Sequence, residues 1–540
     1  MDISRRGRRS RHLPFRTCGT LLLTTGLLIS GCSSGSSTAD ASMASLAHST
    51  PAELAPYYGQ KLSWHECGAP GFECASMKAP LDYAEPSAGD IELAVARKQA
   101  TKKKGRLGSL LVNPGGPGGS AIGYLQSYAA LGYPAEVRAR YDMVAVDPRG
   151  VARSEPVTCL DGERMDTYTQ TDVTPDDRPE TDALRTAFQT FAAGCKEHSA
   201  DVLPHVSTVE AARDMDVLRA ALGDKKLSYV GASYGTFLGA TYAELFPRRV
   251  GRLVLDGAMD PALPARRMNR EQTAGFETAF RSFAKDCVAR GAECPLGTKS
   301  PDDAGRRLKA FFGALDREPL ATGGGVGSGS GVGSGGSRGG GMGGRKLGEA
   351  LATTGVIAAM YDEAGWPQLR DALTSAMKNK DGSGLLALSD GYYERGDDGK
   401  YANLMFANAA VNCLDLPPAF SSPAEVRKAL PSFREASPVF GEGLAWSSLN
   451  CAYWPVRATG EPHRIEAEGA APILVAGTTR DPATPYRWAK ALASQLSSGH
   501  LLTYEGDGHT AYGRGSECVD ATINAYLLKG TVPQDGKRCS

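Results

Sequence analysis

A serine stands between glycines at Gly231-Ala232-Ser233-Tyr234-Gly235, directly after the apolar run Leu227-Ser228-Tyr229-Val230 and directly before a helical pattern at 236–246. Strand, sharp turn and helix together lift a serine hydroxyl onto a strained backbone, and only glycine fits where the neighbouring chain crowds in. A serine hydroxyl is a weak nucleophile at neutral pH until a base takes its proton, and that base needs a carboxylate to fix its tautomer. The chemistry offered is acyl transfer. Two later segments supply the partners. Asp481 lies in Gly477-Thr478-Thr479-Arg480-Asp481-Pro482-Ala483-Thr484-Pro485, after the apolar run 472–476, and His509 lies in Gly506-Asp507-Gly508-His509-Thr510, after the run 501–504. Both are loop positions just past a strand, and the chain order is serine, acid, histidine. Of the eight histidines, His509 is the one so placed near the C-terminal end. Asp256, ending the run 253–255, is a rival acid, and Asp507 is close to the histidine. We assign Asp481 as the orienting acid, Asp256 as a structural turn residue and Asp507 as a loop cap.

Acyl transfer also needs donors aimed at the developing oxyanion. The segment Asn113-Pro114-Gly115-Gly116-Pro117-Gly118-Gly119-Ser120 follows the apolar run 109–112. The backbone N–H of Gly116, with Gly115 beside it, is one expected donor, and the N–H of Tyr234 is the other. No Gly-Lys-Ser/Thr follows these glycines and no GxGxxG frame fits, which argues against a nucleotide loop. A triad with an oxyanion hole suffices for hydrolysis, so no cofactor is expected. Epoxide hydrolases and dehalogenases need an aspartate nucleophile, and position 233 is serine.

These groups need a scaffold. Short apolar runs at 91–95, 109–112, 143–146, 227–230 and 253–255 alternate with helical patterns, which predicts a mainly parallel sheet covered on both faces. From 264 to 455 the pattern becomes helical, as at 271–290 and 347–360, and strand signals return only at 472–476 and 501–504. The pattern is that of an α/β-hydrolase fold: core at 61–263 and 456–540, interrupted by a helical cap at 264–455. Inside the cap, 323–344 is almost wholly Gly and Ser and cannot bury enough apolar area to order itself, so disorder is expected there.

The N-terminus carries Arg5, Arg6, Arg8, Arg9, Arg11 and Arg16 before an apolar run at 21–29. That is the composition of an export signal. Ile29-Ser30-Gly31-Cys32 resembles a bacterial lipobox, giving a signal peptide at 1–31, lipid on Cys32 and a Ser- and Ala-rich flexible tether at 32–60, with order beginning near Trp64. An ordinary or uncut signal is the alternative. Ten of the twelve cysteines lie beyond Cys32. In an oxidising compartment they pair, and sequential pairing is expected: Cys67 with Cys74, Cys159 with Cys195, Cys287 with Cys294, Cys413 with Cys451, Cys518 with Cys539. Without CxxC pairs or clustered histidines, no zinc or other metal site is expected. Sixty basic and sixty acidic residues balance, so a nucleic-acid partner is not expected. No later run of 18 apolar residues predicts a spanning helix.

Several segments together resemble the secreted prolyl and tripeptidyl aminopeptidase branch of the α/β-hydrolases, found in Gram-positive mycelial bacteria. They are Glu73-Cys74-Ala75 leading to Pro80-Leu81-Asp82-Tyr83, the loop 113–120, Asp147-Pro148-Arg149-Gly150-Val151-Ala152-Arg153-Ser154, the Ser233 turn, Asn412-Cys413-Leu414-Asp415, and Asp481-Pro482-Ala483-Thr484-Pro485. Ala152 departs from the Gly usual there, and 323–344 looks like a private insertion. The resemblance implies a serine exopeptidase that removes N-terminal residues, often tripeptides, from peptides; the lipobox places it on the outer face of a cell membrane, anchored or released, and a monomer is the default expectation. Such an enzyme must hold a substrate ammonium, for which Asp415 and Glu442 of the cap are the candidates. An esterase or lipase with the same triad, and a non-catalytic peptide-binding lipoprotein, are the alternatives.

Overall fold

The computed structural model describes residues 51–323 and 344–540. The signal segment, Cys32 and the interior of the 323–344 stretch lie outside the described residues. The apolar runs become one sheet with strand order β1-β2-β3-β5-β4-β6-β7-β8-β9-β10. The strands are β1 (His65–Glu66), β2 (Glu73–Pro80), β3 (Asp90–Lys98), β4 (Gly108–Asn113), β5 (Tyr141–Val146), β6 (Leu227–Ala232), β7 (Val250–Asp256), β8 (Ile473–Arg480), β9 (Gly499–Asp507) and β10 (Lys537–Cys539). Pairing is antiparallel from β1 through β3 to β5, and parallel from there to β10. Every residue of β4 and β5 is buried, because both faces of the parallel sheet carry helices.

The main helices are α1 (Arg178–Ser199), α2 (Thr208–Ala221), α3 (Tyr234–Leu245), α4 (Ala265–Ala289), α5 (Pro301–Arg317), α6 (Glu349–Met360), α7 (Trp366–Asn379), α8 (Ser383–Tyr392), α9 (Leu404–Asp415), α10 (Pro423–Ala436), α11 (Gly441–Ser447), α12 (Tyr486–Gln495) and α13 (Glu517–Lys529). One apolar core holds α2, α3 and α12 against the sheet, and a second holds α13 and the 121–137 segment against its other face. Between β7 and β8 the described chain is helical or irregular, apart from isolated bridges, and α4 through α8 enclose a core of their own around Phe276, Phe283, Leu308, Leu351 and Leu373. Two features depart from a cap that merely interrupts the core. Phe406, Ala410 and Leu414 of α9 are buried in the sheet's own core, and Leu184 and Phe188 of α1, from the stretch between β5 and β6, pack with Phe420, Phe433 and Trp446. The cap is therefore assembled from two stretches of chain.

All five expected disulfides are present, Cys67–Cys74, Cys159–Cys195, Cys287–Cys294, Cys413–Cys451 and Cys518–Cys539. The last residues of the stretch expected as a flexible tether, as far as residue 60, are instead folded against the body. Ala55–Tyr58 is helical, Leu54 is buried, and the tyrosine hydroxyls dock it, Tyr57 donating to Asp90 at 2.6 Å and Tyr58 to Asp216 at 2.8 Å. Strands β2 and β10 escape a reading by apolar runs. β2 alternates buried and exposed residues around Lys78, and β10 is three residues tied down by parallel pairing to β9 and by Cys518. Among the described residues no helix is long and apolar enough to cross a membrane.

Candidate active site

Strand β6 ends at Ala232, and Ser233 takes φ 57° and ψ −126° before α3 begins. Non-glycine residues avoid that region unless the surroundings hold them there. Here the Ser233 N–H donates to Asp256 O at 2.9 Å, and a side chain at position 231 would collide with the carbonyl of Gly235. The glycine-rich loop after β4 presses against this turn. A Cβ on Gly115, whose φ is +91°, would lie 2.8 Å from the Tyr234 nitrogen and 2.9 Å from Ser233 Cβ. Gly115 N–H is used on Asn113 Oδ1 at 2.8 Å, while Gly116 lines the same cavity as Ser233. The N–H of Tyr234, first in its helix, has no intrahelical partner. Gly116 thus shares a cavity with the nucleophile, and the glycine before it packs on the Tyr234 nitrogen, which suits the expected oxyanion hole.

Asp481, 2% exposed, follows β8 and accepts from His509 Nδ1 through Oδ1 at 2.9 Å and Oδ2 at 3.0 Å. Three backbone N–H groups fix the carboxylate: Ala483 at 2.9 Å and Thr484 at 2.8 Å on Oδ1, Thr510 at 3.2 Å on Oδ2. That set keeps the hydrogen on Nδ1. The other ring nitrogen, Nε2, is buried without a partner among the described residues, so it is open to take the serine proton. The rival Asp256 is buried and accepts from Ala511 N and Tyr512 N, at 2.9–3.0 Å. It shapes the turn beyond His509. Asp507 does not cap its loop with its side chain; Arg480 holds it through two bonds of 2.8 and 2.7 Å.

The two ammonium candidates part company. Asp415, 8% exposed, spends its oxygens on Thr208, accepting from N at 2.8 Å and from Oγ1 at 2.5 Å, and Thr208 Oγ1 in turn meets the Tyr234 hydroxyl. Burial pushes its carboxyl up to about 7. It ties α9 to the start of α2 and to the residue after the nucleophile, and it does not line the cavity. Glu442 pairs with Arg434 at 2.5 Å. The Cys413–Cys451 bridge instead brings Asn450 and Cys451 to the cavity wall.

Sequence reasoning missed Tyr361 and Arg514. Tyr361, just past α6, accepts the His509 backbone N–H at 2.8 Å on its carbonyl, and its half-buried ring stands edge-on to the imidazole at 5.5 Å. Arg514 donates to His509 O at 2.5 Å, to Tyr361 O at 3.3 Å and to Asp362 Oδ1 at 2.7 Å. The cap therefore latches the histidine loop. No local signal announces this, because the partners lie about 150 positions apart in sequence.

Ser233 opens on a cavity of about 310 Å³ whose wall includes Asn269, Gln272, Asn408, Asn412 and Asn450. Among the described residues no charged side chain lines it. The arrangement can attack a carbonyl with Ser233, shuttle the proton through His509 to the leaving group, and hydrolyse the acyl-enzyme with water.

Residues 108–304 match the model for the alpha/beta hydrolase fold and residues 437–539 the model for TAP-like protein. Ser233 and Gly116 fall in the first match, Asp481 and His509 in the second. The chain is 37% identical over 507 residues to the serine protease Hip1 of Mycobacterium tuberculosis, covering 90% of this chain and 92% of that protein. It is 36% identical over 539 residues to a carboxylesterase B of the same species, covering 97% and 98%. To the tripeptidyl aminopeptidase of Streptomyces coelicolor it is 30% identical over 494 residues, covering 89% and 86%.

Proposed function

The chain belongs to the α/β-hydrolase family in which these relatives stand, and from that premise we propose that it is a serine exopeptidase releasing N-terminal residues, tripeptides by preference, through an acyl-enzyme at Ser233. The amide-lined cavity carries the reading. A peptide backbone presents alternating N–H and C=O groups that Asn and Gln side chains bind from either end of the amide. Asn412 Nδ2 donates to Asn408 Oδ1 at 3.0 Å and Asn408 Nδ2 to Pro117 O at 3.0 Å, which leaves Asn412 Oδ1 to accept a substrate N–H. A long acyl chain in the same place would strand those amides, at roughly 1–3 kcal/mol each.

The test uses protein beginning at Ser33, with Ser233→Ala as the blank, on Ala-Pro-Ala-p-nitroanilide, its N-acetylated twin and p-nitrophenyl butyrate. Rapid cleavage of the free-amine peptide over its acetylated twin is expected. Turnover of the ester alone would overturn the peptidase reading in favour of an esterase.

The reading extends to location. The lipobox at Ile29–Cys32 and five disulfides favour an exported enzyme held at the outer membrane face by lipid on Cys32, since several acyl chains at about 0.8 kcal/mol per buried methylene anchor firmly. Cells fed an alkynyl fatty acid are expected to label the wild type and not Cys32→Ser; equal label in both would remove the anchor.

A further inference from the structure

A second cavity, of about 250 Å³, adjoins the catalytic one. The two share Gln272, Tyr361, Tyr392, Leu444, Ser447 and Asn450 on their walls. Tyr361 and Tyr392, with ring centroids 6.2 Å apart, stand at the junction, and Tyr361 is the ring that abuts His509. Beyond them the wall is mainly apolar, drawn from α1, α4, α6 and α9 through Leu184, Phe188, Phe276, Ile357 and Met405, with Thr353 and Thr354 among them. No charged side chain lines this chamber among the described residues.

Charge gathers beside it. Asp172 falls between the lining residues Thr171 and Val173, Glu349 immediately precedes lining Ala350, and Glu442 immediately precedes lining Gly443. Carboxylate oxygens of Asp172, Asp316 and Glu349 lie within 4.8 Å of one another. Thr174 Oγ1 donates to Glu349 at 2.7 Å, and its N–H to Asp172 Oδ1 at 2.8 Å, but Asp172 Oδ2 is buried with no donor among the described residues. Burial first, then the like charges of Asp172, Asp316 and Glu442, push the Glu349 carboxyl up to about 7 against the bond from Thr174. The cations nearby serve the outer members of the group, Arg317 acting on Asp316 and Arg434 on Glu442. Like charges held together out of water gain from the arrival of a cation, and a carboxylate group beside a low-dielectric hollow focuses its field there.

We propose that this second chamber receives the first residue of the peptide substrate, its uncharged side chain entering among Leu184, Phe188, Phe276 and Ile357 and its ammonium turning toward Asp172 and Glu349. The inference rests on the exopeptidase reading and supplies the amine recognition that Asp415 does not. A peptide laid from Ser233 past Tyr361 has its scissile bond in the amide-lined cavity and its free end in the apolar one. An N-terminal acetyl group, which removes the charge, forfeits the carboxylates, and an acidic first side chain meets a wall with no partner for it and the like charge of those carboxylates.

The experiment compares kcat/KM for X-Pro-Ala-p-nitroanilides, with X being Leu, Gly or Asp, and for the acetylated Leu peptide. Each variant's values are divided by its own rate on p-nitrophenyl butyrate, which has no first residue to place and reports whether the triad is assembled. In the wild type Leu is expected to exceed Gly and Asp. In Glu349→Gln the preference for the free amine over the acetylated peptide is expected to fall at least about thirtyfold, through KM, as when one partner of a desolvated charge pair is removed. Thr353→Phe, which projects bulk from the chamber wall, is expected to cut the Leu-over-Gly preference about tenfold while sparing the Gly peptide. A wild type indifferent to acetylation overturns the exopeptidase reading and this inference with it. A wild type that prefers the free amine, with both variants keeping wild-type ratios, overturns the chamber assignment alone.

Discussion

Asp481→Asn is expected to lower kcat by about 10⁴-fold on peptide and ester alike while the protein remains folded. The reason lies in how the carboxylate is held. Oδ1 accepts from Ala483 N, Thr484 N and His509 Nδ1, and Oδ2 from His509 Nδ1 and Thr510 N. An asparagine that keeps its oxygen on the 483–484 turn must present its NH₂ to His509, which moves the imidazole hydrogen to Nε2 and abolishes the base. The flipped rotamer restores the tautomer only by facing NH₂ against two backbone donors. Thermal melting and turnover, measured together, separate the effects: turnover collapses and the melting temperature moves little. Asp256→Asn should do the reverse, since among the described residues the Asp256 carboxylate bonds to the turn beyond the histidine and not to the imidazole. A collapse of turnover in Asp256→Asn with Asp481→Asn active would exchange the two roles.

That assignment was legible because acyl-transfer chemistry constrains residue type, loop position and chain order together. The serine turn announces itself through glycines that steric crowding demands, and Asp481 and His509 each follow an apolar run that could only be a strand. Asp415 was misread for the complementary reason. Its partner Thr208 is 207 residues away, and a carboxylate that closes a buried network looks in sequence like one that faces a ligand. Strand β2 alternates around Lys78 and offers no apolar run, and α1 belongs to the cap by virtue of contacts with Phe433 and Trp446 that only folding reveals. Tyr57 and Tyr58 similarly order a stretch that composition alone marks as tether. What sequence conveys is local chemistry and periodicity; which distant polar groups share a buried network is decided by topology.

Arg149 shows the same division. Its segment contributed to the family likeness, yet nothing local says what the arginine does. It is 1% exposed, and its guanidinium donates to both oxygens of Asp214 at 2.7 and 2.8 Å, to Glu210 at 2.7 Å, and to the carbonyls of Pro80, Leu81 and His205 at 2.9–3.0 Å. One side chain thereby joins the end of β2, the turn before α2 and α2 itself. Arg149→Ala leaves two carboxylates without their cation and three carbonyls without donors, and is expected to cost about 3–5 kcal/mol of unfolding free energy in urea titrations followed by tryptophan fluorescence. Lysine restores charge but not the fork, so Arg149→Lys should fall between. The pH dependence fixes the cause. Burial already raises the Glu210 carboxyl to about 7 although Arg149 opposes it, and removing the arginine raises it further. A carboxyl whose folded pKa exceeds its unfolded value favours the fold at low pH and loses that contribution as pH rises. The deficit of Arg149→Ala relative to wild type should therefore be larger at pH 8 than at pH 5. A deficit equal at the two pH values would mean that lost packing, which binds no proton, and not stranded carboxylates, destabilises the variant.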